Sequence, residues 1–315
     1  MKKKVFIYGN CHTMIFSQFL GKCKEFNDNY EIVPVKQIQE IQDISYFEQL
    51  DFSKCDVFIH QSIRKNNRYG EEYASERLIE RLNPECTVIA IPNVYHLPVC
   101  LYPQYTEDVE LRYQNCTYFF RDSIIDEGIR EGKSIKKIVE QYYDFRFDRA
   151  SICNEFERFI NKIRRRENDW DIKVSDYIVE KIKKEQLFYD PNHPTNFLIK
   201  YYVIETLKIL LNSNEIDLPE VNVCRLDSFE MPLLQDVVSA LDLEYNYEQR
   251  DFRITGKKVC RTRMKIEQYV KQYYSMIWTC GSFERKDNYK SYLLFYVYRL
   301  KDFVLRVIGV FGRPW

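Results

Sequence analysis

Short apolar runs alternating with helical stretches set the tightest limit on what this chain can fold into. Residues 4–8 (KVFIY) stop at Gly9, residues 31–35 (EIVPV) and 56–60 (DVFIH) follow, and residues 87–91 (TVIAI) stop at Pro92-Asn93. Runs of this length, rich in Val, Ile and aromatics, read as buried strands. Between them lies helical spacing: Ile15, Phe16, Phe19, Leu20, Cys23 and Phe26 share one face, and the charged stretch at about 70–82 predicts another helix. Strand–helix alternation predicts an α/β fold, a three-layer arrangement with a mostly parallel sheet in the first 100 residues and helices on both faces. Ligands of such sheets bind beyond the carboxyl ends of the strands. Those ends are Gly9-Asn10-Cys11-His12, His60-Gln61-Ser62 and Pro92-Asn93.

From about residue 122 the pattern turns helical, with apolar residues at three- and four-residue spacing near 134–144, 151–167 and 173–188. Residues 164–169 (RRREND) read as an exposed loop, and residues 189–195 (YDPNHPT) break the helices before another at about 196–211. Leu218-Pro219 opens a last region with helices near 231–241 and 262–277. Residues 291–311 are long and apolar enough to suggest a membrane span, but Arg299, Lys301, Asp302 and Arg306 lie inside the stretch, and such charges are costly at mid-bilayer. Arg299, Asp302 and Arg306 fall on one stripe, which predicts an amphipathic helix that packs on the domain or lies at a membrane surface. The expected division is a catalytic domain at 1–212 and a helical extension at 213–315 packing on it.

Lys plus Arg equal Asp plus Glu at 47 each, which argues against nucleic-acid binding as the main task. The start MKKKVFIYGNCH lacks the apolar core of a secretory signal, so the expected location is cytoplasmic and the ten cysteines are expected as reduced thiols, most of them small buried apolar residues. No CxxC pair occurs, so neither a zinc ribbon nor a redox pair is expected, and no metal.

Two elements carry chemistry. Cys11 sits in the turn between the first strand and the first helix. Thiols at helix N-termini ionise more readily than free ones, and the N–H groups there can hold an oxyanion. Gly9 suits the sharp turn. The alternative for Cys11 is a thiol that only fills space behind the sheet. The second element is Asp190-Pro191-Asn192-His193-Pro194-Thr195. Asp and His three apart, held by two prolines, present both side chains to one pocket, with the carboxylate orienting an imidazole that acts as general base. The same stretch also suits a helix start, with Pro194 in the first turn and His193 or a neighbour near the cap. His12 adjoins Cys11, but neighbours at a helix start point about 100° apart, so His12 suits the pocket wall better than proton abstraction.

Gly9-Asn10-Cys11 after the first strand, with a late Asp190-x-x-His193, resembles the block pattern of SGNH (GDSL-type) hydrolases, with Cys in place of their Ser. The G-N-C turn, the strand ending in His60-Gln61 and the late D-x-x-H-P are similar to the WcbI-type polysaccharide biosynthesis family, over residues 1–212. The resemblance implies a Cys11–His193–Asp190 constellation, coenzyme A or acetyl-coenzyme A as co-substrate, and O-acyl transfer to a capsular or surface polysaccharide precursor. The second-block Gly and third-block G-x-N-D of the hydrolases are absent. Gln61 or Asn93, with the Cys11 N–H, is then expected to hold the oxyanion, while Gly9, Asn10, His12 and His60 line the pocket. Arg64, Lys65 and Arg68 follow the third strand end as a solvated loop or as partners for coenzyme A phosphates. Water as acceptor would make the same site an esterase or deacetylase. A non-catalytic scaffold of glycan assembly is the third alternative.

Overall fold

The computed structural model describes residues 1–94, 98–106, 111–113, 116–118, 121–219, 223, 226–227, 229–244, 253–254, 265–279, 293–294, 296–297 and 300. His96 and most of the 291–311 segment lie outside the described residues. The chain forms two compact units, Met1–Pro98 with Glu157–Leu226, and Val99–Phe156 with Asp227–Trp315. Residues 99–156 thus group with the C-terminal region, where a single boundary at residue 212 was expected.

The first unit is built on an all-parallel sheet of β1 (Lys3–Tyr8), β2 (Tyr30–Val33), β3 (Val57–Gln61) and β4 (Thr87–Ile91), in the order β2-β1-β3-β4. The four expected strands are present. The inner pair is closed to water on both faces, and Val5, Phe6, Ile7 and Tyr8 register with Val57, Phe58, Ile59 and His60. Both faces being covered explains why these strands read as continuous apolar runs rather than alternating ones.

The two layers differ. Phe6, Tyr8 and Phe58 pack on one face with Ile38, Ile41, Phe47, Phe52, Tyr73 and Leu78. That layer consists of three-residue-per-turn helical segments and one short helix, α3 (Ser75–Ile79). Rings do the packing: Phe6–Phe52 centroids are 5.7 Å apart and Tyr8–Phe47 5.6 Å, and the Tyr8 hydroxyl donates to the Tyr73 carbonyl at 2.7 Å. Alternation sends Val5, Ile7, Val57 and Ile59 to the other face. There α1 (His12–Leu20) packs on α8 (Asn196–Leu211), and Ile15, Phe16, Phe19 and Leu20 of α1 and Leu198, Ile199, Tyr202 and Val203 of α8 are buried. α2 (Lys24–Asn29) continues the apolar face of α1 after Gly21 and also meets α8.

Two expected elements are corrected. The helix at 70–82 is a turn at Glu71–Tyr73 followed by α3, because Gly70 has φ of 122° and Ala74 is extended, so no continuous helix can run through. The polar stretch 164–169 is no open loop. α6 (Arg149–Arg166) runs into it, and Glu167 then caps α7 (Ser175–Lys181), its carboxylate accepting from the Val174 and Ser175 N–H groups at 2.6 Å each. In the second unit α4 (Ser123–Arg130), α5 (Ile135–Asp144) and α10 (Ile266–Thr279) pack together around Asp122, which caps α4 and accepts the Tyr142 hydroxyl at 2.8 Å. No helix among the described residues is long and apolar enough to cross a membrane.

Phe58 is fully buried between ring partners on the inner strand, whereas Val88 on the edge strand is 37% exposed. Phe58→Ala should lower the unfolding free energy by about 3–5 kcal/mol, and Val88→Ala by less than about 0.5 kcal/mol. Urea denaturation at unchanged slope checks both, and equal losses would place the core elsewhere.

Candidate active site

The order β2-β1-β3-β4 makes the chain leave β1 to one side and return to the other, so a crevice opens between the carboxyl ends of β1 and β3. The turn Gly9-Asn10-Cys11 lies there. Gly9 is needed for a close approach, not for a left-handed backbone. A Cβ at this position would lie 2.5 Å from Gln61 Oε1 and 2.6 Å from Thr13 Cγ2.

The fully buried Gln61 amide is spoken for at both ends. Its Oε1 accepts from the Asn10 N–H at 2.8 Å, and its Nε2 reaches His12 Nδ1 at 3.2 Å and the Pro92 carbonyl at 3.3 Å. A carbonyl can only accept, so His12 Nε2, 2.8 Å from the Asn192 carbonyl, carries the ring proton. His12 Nδ1 is then the acceptor that Gln61 requires. Burial, followed by the charge on His193, lowers the His12 pKa to about 3, so the ring is neutral. Gln61 and His12 are therefore braces that join the β1 turn to the 190–195 loop. Gln61 was expected as an oxyanion donor, and its N–H groups are already used.

Asn10 closes the turn from inside. Its Oδ1 accepts from the His12 N–H and its carbonyl from the Thr13 N–H, each at 3.0 Å. These are two of the N–H groups expected to face an anion. No acceptor for the Cys11 N–H is present among the described residues.

The second element is held as tightly. Asp190, fully buried, accepts from the Asn192 N–H at 2.7 Å and the His193 N–H at 2.9 Å through Oδ1, and from His193 Nδ1 at 2.8 Å through Oδ2. The Tyr189 N–H donates to the His193 carbonyl at 2.9 Å, which closes the loop. Thr195 rather than His193 is the cap residue of α8, and Pro194 precedes the helix. With Nδ1 engaged, Nε2 is the His193 nitrogen left for Cys11, which lies near enough to act on the ring electrostatically. Burial alone would lower the His193 pKa, but the Asp190 charge and hydrogen bond, together with Cys11, raise it to about 10. The structure thus brings Cys11, His193 and Asp190 together across 182 positions of sequence.

The family model described as polysaccharide biosynthesis enzyme WcbI matches residues 4–213, a span that includes all of these residues. The chain belongs to this family. A solved structure of WcbI, described as a novel polysaccharide biosynthesis enzyme, matches with a TM-score of 0.72 at 19% identity, covering 94% of each chain. It is described further as the native protein without a disulfide bond between coenzyme A and one of its cysteines. No curated protein matches the chain.

The other expected site residues of this WcbI family member divide. His60 does not join the pocket. It neighbours Gln61 on β3, so alternation turns its ring to the opposite face, where it stacks on Phe58 at 5.4 Å, and burial lowers its pKa. The Asn93 carbonyl, at the end of β4, accepts from Arg166 at 3.2 Å. Arg64 pairs with Asp169 at 3.1 Å, Lys65 with Glu76 at 3.3 Å, and Arg68 donates to the Tyr69 hydroxyl at 2.7 Å. Exposed pairs of this kind are worth at most about 1 kcal/mol, so a phosphate could replace either carboxylate. Arg166, half-buried beside Arg64, was missed as a cation because the sequence around it reads as an open loop. Six cysteines among the described residues, including Cys11, are free thiols. Among the described residues no group of three or more His, Cys, Asp or Glu is arranged to hold a metal ion.

Gly9→Ala should force Gln61 or the turn to move and cost about 1–3 kcal/mol. A wild-type melting temperature for this variant would show that the turn tolerates a Cβ. The two histidines predict opposite pH responses. His193 holds its proton to about 10 against an ordinary 6.5, so its contribution to stability is complete below 6.5 and is lost as pH rises through 10. His12, lowered to about 3, contributes fully above 6.5 and loses its contribution as pH falls toward 3. Asp190→Asn should bring the His193 titration, read by imidazole NMR, well below 10 and flatten the decline of stability between pH 6.5 and 10. An unchanged titration would remove Asp190 as its cause.

Proposed function

We propose that this chain is an acyl-CoA-dependent O-acyltransferase, with acetyl as the simplest acyl group, that modifies a sugar hydroxyl of a capsular or surface polysaccharide precursor. The observation that carries the reading is the contact of the Cys11 thiol with an imidazole whose other nitrogen is fixed by a buried carboxylate. A thiol, an acid–base group and an orienting carboxylate are what two-step acyl transfer needs. His193 already holds the proton of the pair, and the Cys11 sulfur attacks the acyl carbonyl. His193 gives that proton to the departing coenzyme A sulfur. The imidazole then takes a proton from the acceptor hydroxyl as that oxygen attacks the Cys11 thioester. Asp190 keeps Nδ1 protonated and Nε2 turned to the reacting atoms throughout.

Family membership supports a polysaccharide-related substrate. The solved WcbI is described as free of a disulfide between coenzyme A and one of its cysteines, which names that ligand beside a thiol, and Cys11 is the candidate thiol here. Arg64, Lys65, Arg68 and Arg166 are the cations available to coenzyme A phosphates. They suit that ligand because their present partners are exposed carboxylates, a tyrosine hydroxyl and a carbonyl, all replaceable by a phosphate oxygen.

Calorimetry with coenzyme A and acetyl-coenzyme A, paired with thiol release, tests the reading. Wild type should bind both ligands and release coenzyme A. Cys11→Ser should keep the binding and lose roughly a thousandfold or more of the release rate. Absent binding, with turnover of simple acetyl esters, would make the site a hydrolase. Intact glycan acylation in Cys11→Ala would leave a scaffold.

A further inference from the structure

The loop between Asp190 and His193 contains a side chain that nothing so far has used. Asn192 is 1% exposed, and neither its Oδ1 nor its Nδ2 has a hydrogen-bond partner among the described residues. Its backbone is fully committed, with the N–H on Asp190 Oδ1 at 2.7 Å and the carbonyl on His12 Nε2 at 2.8 Å. The residue is therefore fixed in place while its amide is idle. Buried amides in folded proteins almost always have partners, and an orphan in a rigid loop marks a place where a ligand atom or an ordered water completes the pairing.

Among the described residues, the donors of the Gly9 turn and of Gln61 are mostly committed already. A tetrahedral intermediate at Cys11 needs two or more donors for its oxygen. The His12 and Thr13 N–H groups are capped by Asn10, and the Gln61 amide is used by His12 and Pro92. The Cys11 N–H remains, and one backbone donor is a weak oxyanion site. Asn192 immediately precedes the imidazole that contacts Cys11, and its carbonyl is tied to His12, the residue after Cys11. Its position is thus fixed by the chain beside His193 and by the bond to His12, the neighbour of Cys11.

We infer that the Asn192 side-chain amide is a catalytic oxyanion donor, acting with the Cys11 N–H on the acyl carbonyl oxygen of the thioester substrate. The inference rests on the acyl-transfer reading given above. As Cys11 sulfur bonds to the acyl carbon, with the proton of the pair resident on His193, the carbonyl π pair moves onto oxygen. Asn192 Nδ2–H and Cys11 N–H hold that charge. When the pair returns, the carbon–sulfur bond to coenzyme A breaks, and the leaving sulfur takes the proton held by His193. Nothing is oxidised or reduced. The neutral amide donates equally well across the working pH range, so it adds no titration of its own.

The test follows acylation of Cys11 by acetyl-coenzyme A in single-turnover experiments, read by intact mass and thiol release, in wild type, Asn192→Ala and Asn192→Asp. The Asp variant keeps the shape and replaces the donor by an acceptor. Both variants should acylate about 100-fold or more slowly than wild type, while coenzyme A affinity and the rate of Cys11 alkylation by iodoacetamide stay within about twofold. Asn192→Ala should also keep the wild-type melting temperature to within a few degrees, since no protein hydrogen bond of its amide is lost. Wild-type acylation rates in both variants would overturn the inference. So would a fall matched by an equal fall in alkylation, since that would make Asn192 a support for Cys11 rather than a donor. If wild type itself forms no Cys11 thioester, the acyl-transfer reading fails and takes this inference with it.

Discussion

Gln61 has one amide, and three segments of the first unit depend on where its two ends point. The oxygen takes the Asn10 N–H and so fixes the turn that presents Cys11. The nitrogen holds both the Pro92 carbonyl at the end of β4 and the unprotonated nitrogen of His12. Through His12 the same chain of hydrogen bonds reaches the Asn192 carbonyl, hence the loop that carries Asp190 and His193. The links of Gln61 to Pro92 and of His12 to Gln61 and Asn192 are buried and the one to Asn10 is part-buried, so they are electrostatically stronger than in water and costly to leave unmade. The direction of the chain is also forced. A carbonyl at each end, at Pro92 and Asn192, admits only one tautomer of His12 and one orientation of Gln61. Gly9 follows from this, because any side chain there would displace the amide oxygen. The turn that presents Cys11 is thus positioned by neutral groups, while the charged Asp190 holds the loop of His193.

Strand positions were readable because both faces of the inner strands are buried, which leaves an unbroken apolar run that turn residues punctuate. The pairing of Cys11 with Asp190 and His193 was readable only through family resemblance. Nothing in local sequence says that a residue after β1 meets a loop 179 positions later at Asp190. The His60 error was avoidable. His60 and Gln61 are neighbours on one strand, so at most one of them can face α1, and the polar contents of the Gly9 turn decide for Gln61. The helix at 70–82 was overestimated because charge spacing carried more weight than Gly70, whose backbone lies in a region that ordinary residues avoid. Arg166 was hidden for a different reason. Its neighbours are charged, so the segment reads as solvent-exposed, yet the last turn of α6 brings its guanidinium to the end of β4.

The two histidines of the site show how one fold gives the same side chain two jobs. Their ring centroids are 6.4 Å apart, in an edge-on arrangement. Neither can be understood alone. His193 carries the charge because a buried carboxylate sits on its Nδ1, and the charge and hydrogen bond of Asp190, together with Cys11, outweigh the loss of hydration. His12 has no carboxylate partner. It has a carbonyl on one nitrogen and an amide donor on the other, an arrangement that suits only the neutral ring. The positive charge on His193 then adds to burial in keeping His12 unprotonated.

Titratable pairs whose environments push their pKa values apart mark the division between acid–base work and support. In the proposed acyl transfer the proton that moves therefore belongs to His193, and His12, in spite of its place next to Cys11, is unsuited to be the base. A second cation at His12 would face the His193 charge across a few ångströms of low-dielectric interior and would lose the donor from Gln61. Charging His12 would therefore release the turn at Cys11 and the loop at Asn192 together. The ring that looks most like a catalytic neighbour in the sequence has to stay uncharged for its neighbour to act.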